Sequence, residues 1–157
     1  MNISGIKIIQ FTDEHQSAFK QLNLAWLEKF FKVEPIDEEI LSHPEHILSA
    51  GGYIFMARHG DQIVGTCALI NTGYHQFELS KMAVDERFQG MGIGRKLLDA
   101  AIAQFRLCPD YTLFLETNSA LKTAINLYES AGFVHARRPD GPSHYERADV
   151  YMAYRGS

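Results

Sequence analysis

The chain predicts a mixed α/β fold, with helices packed on a β-sheet, from three observations. A strand-like run, a turn carrying Gly90, Gly92 and Gly94, and an amphipathic helix follow one another and lead into a further strand. Three strand candidates in succession precede that unit and are joined by turn-forming residues. The 157 residues suit one domain, from residue 1 to 157, with a single core, and 46% hydrophobic against 22% charged residues is an ordinary globular balance.

The elements follow in order. Ile6, Ile8 and Phe11 suggest a first strand. Thr12 or Asp13 then caps a helix whose apolar residues are Phe19, Leu22, Leu24, Trp26, Leu27 and Phe30, and Pro35 breaks it. A shorter helix fits Asp37 to Leu48, with a kink or early end at Pro44. Tyr53–His59, Ile63–Asn71 and Phe77–Val84 read as strands, with Gly60-Asp61 and Thr72-Gly73 as their turns. Ile93, Leu97, Leu98, Ala101, Ile102 and Phe105 make one helical stripe, stopped by Pro109. Tyr111–Glu116 is the next strand. Leu121, Ala124, Ile125 and Tyr128 form a second stripe, with Asn118 or Ser119 as cap and Gly132 at its end. Phe133–Ala136 and Ala148–Tyr154 close the fold around a polar loop, Arg137 to Glu146.

Charge and composition exclude some functions. A formal net charge of -4 disfavours a nucleic-acid binder. No apolar run is long enough to span a bilayer, which argues against a membrane partner, and the start, Met1 to Lys7, lacks a signal-peptide layout. Cys67 and Cys108 form no C-x-x-C pair and read as free thiols of a reducing, cytoplasmic setting.

The glycine run poses the functional question. A helix start offers unpaired N–H groups and the positive end of the helix dipole, and glycines let a ligand approach the backbone. Together they can cradle phosphate. Arg95 and Lys96 oppose the dipole in the first turn, and a bound polyanion would reverse that penalty. A P-loop needs Ser or Thr after Gly-Lys, and Gly94-Arg95-Lys96-Leu97 stands instead. A dinucleotide fingerprint needs its third glycine at position 95, which is Arg95.

Gln89-Gly90-Met91-Gly92-Ile93-Gly94 fits a third pattern, Q/R-x-x-G-x-G/A. The preceding E-L-S-K-M-A-V run looks like a central strand, and Asn126-Leu127-Tyr128-Glu129 with Gly132-Phe133 is similar to an L-Y-E…G-F signature. On these motifs the chain resembles the GCN5-related N-acetyltransferase (GNAT) family along most of its length.

The resemblance implies a central mixed sheet that splays open between the strands flanking the glycine helix, with acetyl-CoA as co-substrate in the gap. The amides of Gln89, Gly90, Met91, Gly92, Ile93, Gly94 and Arg95 would hold its pyrophosphate. Met82, Ala83 and Val84 would pair with its pantetheine arm, and their N–H groups would stabilise the thioester oxygen. Glu78 is the implied base, direct or through water; its other reading is a solvent-facing carboxylate paired with Lys81. Simple alternation puts those two on opposite faces unless a β-bulge intervenes. Tyr128 is the implied acid for the leaving thiolate, and otherwise a core residue. Many family members carry Asn where Leu121 stands; Asn118 then contacts the pantetheine arm or caps the helix.

The implied acceptor is a small-molecule or peptide amine. Its candidate contacts are Phe31, Glu34, Tyr74, Tyr145 and Arg147, with Phe30, Tyr53 and His75 nearby. Glu34, Glu38 and Glu39 would suit a cation or simply a helix start, and Arg147 would suit a carboxylate. His75 is a candidate proton relay to Glu78. His43-Pro44-Glu45-His46 lacks a third firm ligand, so no metal is expected. A homodimer is compatible with the family. The rival function is a CoA-binding regulatory module, which would need neither Glu78 nor Tyr128.

Overall fold

The computed structural model describes residues 5–139 and 141–156. The first four residues, Asp140 of the polar loop and Ser157 lie outside them. Seven strands form one sheet: β1 (Ile6–Gln10), β2 (Tyr53–His59), β3 (Gln62–Gly73), β4 (Gln76–Val84), β5 (Thr112–Thr117), β6 (Phe133–His135) and β7 (Val150–Tyr154). Their order across the sheet is β1-β2-β3-β4-β5-β7-β6, antiparallel except for the β4–β5 pair. The helices are α1 (Gln16–Phe30), α2 (Pro35–Ser42), α3 (Pro44–Ser49), α4 (Ile93–Phe105) and α5 (Lys122–Ala131).

The sheet has a core on each face. Phe77, Leu79, Leu113 and Leu115 pack with Leu97, Leu98 and Tyr128 of α4 and α5. Phe19, Leu27, Leu41 and Ile47 of α1 to α3 pack with Ile54, Met56 and Ala68. The stripe expected on α4 is buried at Ile93, Leu97, Leu98, Ala101 and Ile102. Alternation along β4 sends Glu78 toward the α1 side, opposite its neighbours Phe77 and Leu79.

Three local expectations change. The helix expected over Asp37 to Leu48 is two helices, because Pro35 and Pro44 each open one in the first turn and His43 lies between them (ψ 59). Thr12 caps a short 3-10 segment, Asp13–His15, ahead of α1. Neither Asn118 nor Ser119 caps α5: Leu121 occupies that place without a side-chain bond. Asn118 Oδ1 instead accepts from Ala120 N (2.8 Å), and both Ser119 N and its hydroxyl donate to Asp149 (2.8 Å each).

Two features of β4 create the functional geometry. β4 and β5 pair only from Gln76↔Thr112 to Leu79↔Leu115, although β4 runs on to Val84 and β5 to Thr117. On the other side, Ser80 faces Ala68 and Ala83 faces Thr66, so Lys81 and Met82 both stand opposite Cys67. This is a β-bulge, and Lys81 sits in left-handed backbone (φ 54). Bulges bend a strand, and here the sheet opens from that point.

Candidate active site

The glycine run forms an amide cradle. Gly90 (φ 80) and Gly92 (φ 79) are left-handed, which a Cβ would disfavour, and Gly92 is the N-cap of α4. The first backbone bond of the turn is Lys96 N to Gly92 O (3.1 Å). Among the described residues, the N–H groups of residues 90–95 donate to no backbone carbonyl. At Gly94 a Cβ would make an ordinary contact with Leu127 of α5 at 3.5 Å. Two of the three basic side chains here are already engaged, and Lys96 has no partner among the described residues. Arg95 binds Asp99 (2.9 Å) and Ser130 (3.1 Å), and Arg87 binds Asp85 (2.9 and 3.2 Å). Anion affinity at this turn therefore draws on the backbone amides, with Lys96 as the one basic side chain of the turn that has no partner among the described residues.

The opening between β4 and β5 is a cleft of about 870 Å³, counting its open mouth. Ser80, Lys81 and Met82 line one wall, and Leu115, Glu116, Thr117 and Asn118 the other. α1 contributes Asn23, Trp26 and Leu27, and α5 contributes Ala124 and Tyr128. Beyond Leu79, β4 has a ladder partner in β3 alone, so its other edge is free along Met82, Ala83 and Val84.

The split lets groups from opposite faces of the sheet line one space. Glu78 comes from the α1 face and Tyr128 from the α4/α5 core. Burial first, and the Glu116 carboxylate second, push the Glu78 carboxyl up to about 7, while Lys81 and Arg147 oppose the rise. Glu78 makes no side-chain hydrogen bond or ion pair among the described residues. Burial, with Cys67 nearby, pushes the Tyr128 phenol well above its ordinary range, so it stays protonated. Its hydroxyl has no hydrogen-bond partner among the described residues. Tyr128 is thus a core residue by its ring, which meets Phe133 edge-on at 6.0 Å, and a cleft residue by position.

A buried ionic clamp closes the far end. Asp37, at 0% side-chain exposure, accepts both terminal nitrogens of Arg147 (2.7 and 2.8 Å) and the Lys81 ammonium (2.9 Å). Arg147 also reaches Glu34 Oε2 (3.0 Å), and Glu34 Oε1 accepts Glu146 N (2.9 Å). Tyr145 lies between the two cations, with Lys81 at 4.9 Å and Arg147 at 4.6 Å from its ring centre. Burial alone would raise the Asp37 carboxyl, but the Arg147 fork, Lys81 and the Glu34 N–H hold it at about 2. The β-bulge turns Lys81 to the Glu78 side, so simple alternation fails here.

Phe31, Glu78, Met82, Asn118, Tyr128, Tyr145 and Arg147 thus line one cleft, as the sequence suggested they should gather. Some candidates lie elsewhere. Tyr74 is fully exposed at the β3–β4 turn (φ 54) and does not line the cleft where the other acceptor candidates gather. His75 stacks on Tyr111 (5.1 Å) and is not among the residues lining the cleft. Glu34 is buried and paired rather than a solvated helix start, and Arg147 is paired with two carboxylates of its own chain. Sequence reasoning missed Asp37, Trp26 and the place of Lys81 in the cleft. A charged residue inside E-L-S-K-M-A-V was the available signal for Lys81. His43, Glu45 and His46 do cluster within 4.8 Å, at the surface of the α2–α3 junction and remote from the cleft.

Comparison with known proteins agrees with this geometry. Residues 50–135 match the model of the acetyltransferase (GNAT) domain. The chain is 33% identical over 84 residues to the ribosomal protein bS18-alanine N-acetyltransferase of Salmonella typhimurium, covering 54% of this chain and 57% of that one. It is 32% identical over 92 residues to N-acetyltransferase 8F1 of Rattus norvegicus, covering 55% and 41%. The match thus spans about half the length of these relatives. A Staphylococcus aureus acetyltransferase of the GNAT family superposes with a TM-score of 0.84 at 26% identity, over 95% of this chain and 98% of that one. The fold is also that of yncA from Salmonella typhimurium, solved with its cofactor acetyl-CoA (TM-score 0.75, 20% identity, 96% and 93% covered). No helix among the described residues is long and apolar enough to cross a membrane. Split sheet, glycine cradle and domain match together place this chain in the GNAT acetyltransferase family.

Proposed function

We propose that the chain is an acetyl-CoA-dependent N-acetyltransferase acting on a primary amine of a small molecule or peptide by direct attack. One observation carries the reading. The split between β4 and β5 brings Glu78 and Tyr128 into a single cleft, with a free strand edge on its wall and unpaired amides in the loop that follows β4. The names of the curated relatives support the reaction class.

The residues fit acetyl-CoA. The unpaired N–H groups of the turn from Gly90 to Arg95 suit a pyrophosphate, with left-handed Gly90 and Gly92 keeping side chains out of its way. The free edge from Met82 to Val84 suits the amides of a pantetheine arm, and Asn118 borders it. When bound, acetyl-CoA supplies an activated acyl carbon and a thiolate leaving group.

The chain's own residues manage protons. An alkyl amine with a pKa near 10.4 is neutral in roughly one molecule in a few thousand at pH 7. Glu78, held near neutrality, takes the proton directly or through water. Tyr128, protonated and without a partner among the described residues, donates to the leaving sulfur. N–H groups of Met82 to Val84 stabilise the carbonyl oxygen. The test is thiol release from acetyl-CoA across a panel of amines, with acetyl-CoA binding measured by calorimetry. Tight binding with no release for any amine would defeat the transfer reading.

A further inference from the structure

α1 carries a polar residue in the middle of its buried stripe. Phe19, Asn23 and Leu27 recur at i, i+4 and i+8 and all three are buried, Asn23 with 3% exposure. A side-chain amide in such a place costs free energy unless both its ends find partners. Inside the protein one end does. Asn23 Nδ2 donates to Phe19 O (2.9 Å), a carbonyl that the regular helix already pairs with the backbone N–H of Asn23. The fold gains little from this second donor, but the bond fixes the direction of the side chain. Phe19 O is an acceptor, so the –NH2 faces it and Oδ1 points away.

Asn23 Oδ1 has no hydrogen-bond partner among the described residues. It is not sealed in the core either. Thr66 Oγ1 is the one side-chain oxygen or nitrogen among those residues that is both sealed and unpartnered. The space that Asn23 Oδ1 meets is the cleft, which Asn23 lines together with Glu78. Glu78 projects to the side of the sheet that α1 covers, so both groups reach the cleft from that side. Lys81 and Arg147, the cations of the lining, are held by Asp37 and Glu34 and satisfy neither oxygen.

We infer that Asn23 is an acceptor-binding residue, whose Oδ1 takes a hydrogen bond from the same amine nitrogen that Glu78 deprotonates; this assignment rests on the transfer reading above. An alkylammonium presents three N–H bonds. Glu78 accepts one and takes its proton. Asn23, whose amide oxygen is not basic at neutral pH, accepts a second and leaves that proton on nitrogen. With two directions of the nitrogen fixed, its freed lone pair is aimed. The attacking nitrogen gains positive charge, which strengthens the bond to Oδ1 and favours the transition state over the bound amine.

Nitrogen-15 spectra of the side-chain amides report on this group directly. The Asn23 –NH2 signal is identified by its absence from Asn23→Leu. n-Propylamine titrated into the wild type with CoA present should shift that signal saturably. Thiol release from acetyl-CoA with the same amine is read in parallel. Asn23→Leu should lower kcat/KM for the amine at least about tenfold, with acetyl-CoA affinity and far-UV circular dichroism unchanged. Asn23→Asp keeps an oxygen toward the cleft and loses the donor to Phe19 O, and should recover most of that loss. If the tie to Phe19 were what matters, both variants would fail alike. Equal losses in the two variants, unchanged turnover in Asn23→Leu, or an Asn23 signal unmoved by n-propylamine overturns the inference. A saturable shift without thiol release would sink the transfer reading while leaving the Asn23 contact standing.

Discussion

Replacing Asp37 by Asn would test the ionic clamp most directly. The substitution keeps the shape and an oxygen for the Glu34 N–H (2.9 Å), but removes the charge that Lys81 and Arg147 share. Removing one partner of a buried ion pair costs about 3–5 kcal/mol. Retained hydrogen bonding places Asp37→Asn near the lower end, about 3 kcal/mol. For a domain of this size each kcal/mol moves Tm by about 2–4 °C, so the expected fall is about 6–12 °C by far-UV circular dichroism. The wild type should show the same linkage in acid. Holding the carboxyl at about 2 rather than 3.8 is worth about 2.4 kcal/mol at 1.36 kcal/mol per decade. Because the folded pKa is depressed, that stability is present above pH 3.8 and is lost as pH falls toward 2. Asp37→Asn should lack this segment of the pH–stability curve. A variant melting within 2 °C of the wild type would refute a load-sharing clamp (tolerance set by about 1 kcal/mol).

The other expectations concern catalysis and the cradle. Glu78→Gln should lower kcat/KM by about 10²–10⁴ with acetyl-CoA affinity kept, and unchanged turnover would remove Glu78 from the mechanism. In the wild type, carbon-13 NMR should find the Glu78 carboxyl ionising near pH 7; Glu116→Gln removes a repelling charge and should shift that titration downward. Tyr128→Phe should depress kcat and spare acetyl-CoA binding in calorimetry. Gly92→Val forces a side chain into left-handed backbone at a cost of about 1–2 kcal/mol and intrudes on the cradle, so CoA affinity should drop at least about tenfold. Gly52→Ala would place a Cβ 2.4 Å from Leu69 O and 2.8 Å from Ile47 O, and should destabilise by about 1–3 kcal/mol in a urea titration.

Local chemistry made much of this molecule legible in advance. The α4 stripe, the turns at Gly60 and Gly73 and the glycine cradle each depend on residues close in sequence. Opening of the sheet between β4 and β5 followed only from the family likeness. What escaped was long-range or exceptional. Asp37 and Arg147 are 110 residues apart, and nothing local marks their pairing. Lys81 reaches the Glu78 side through one inserted residue, which periodicity alone assigns to the wrong face. His75 was attractive by nearness to Glu78 and Tyr74 as an acceptor contact, yet a tight turn of left-handed residues carries both to the strand end. Asn118 had the chemistry of a cap but spends its side-chain nitrogen on Arg147 O (2.8 Å), tying β5 to the final loop.

The cradle's reliance on backbone amides has a consequence for ionic strength. Surface cations lose much of their reach once salt shortens the Debye length to about 8 Å. Arg87 and Arg95 are already paired with Asp85 and Asp99, so among the described residues the screened part of the attraction at this turn is left mainly to Lys96. Hydrogen-bond donors acting at contact distance are scarcely screened. A nucleotide held there would lose less of its affinity to rising salt than one bound at a lysine-rich site, because most of its contacts would be amide hydrogen bonds and one, at Lys96, a screened charge.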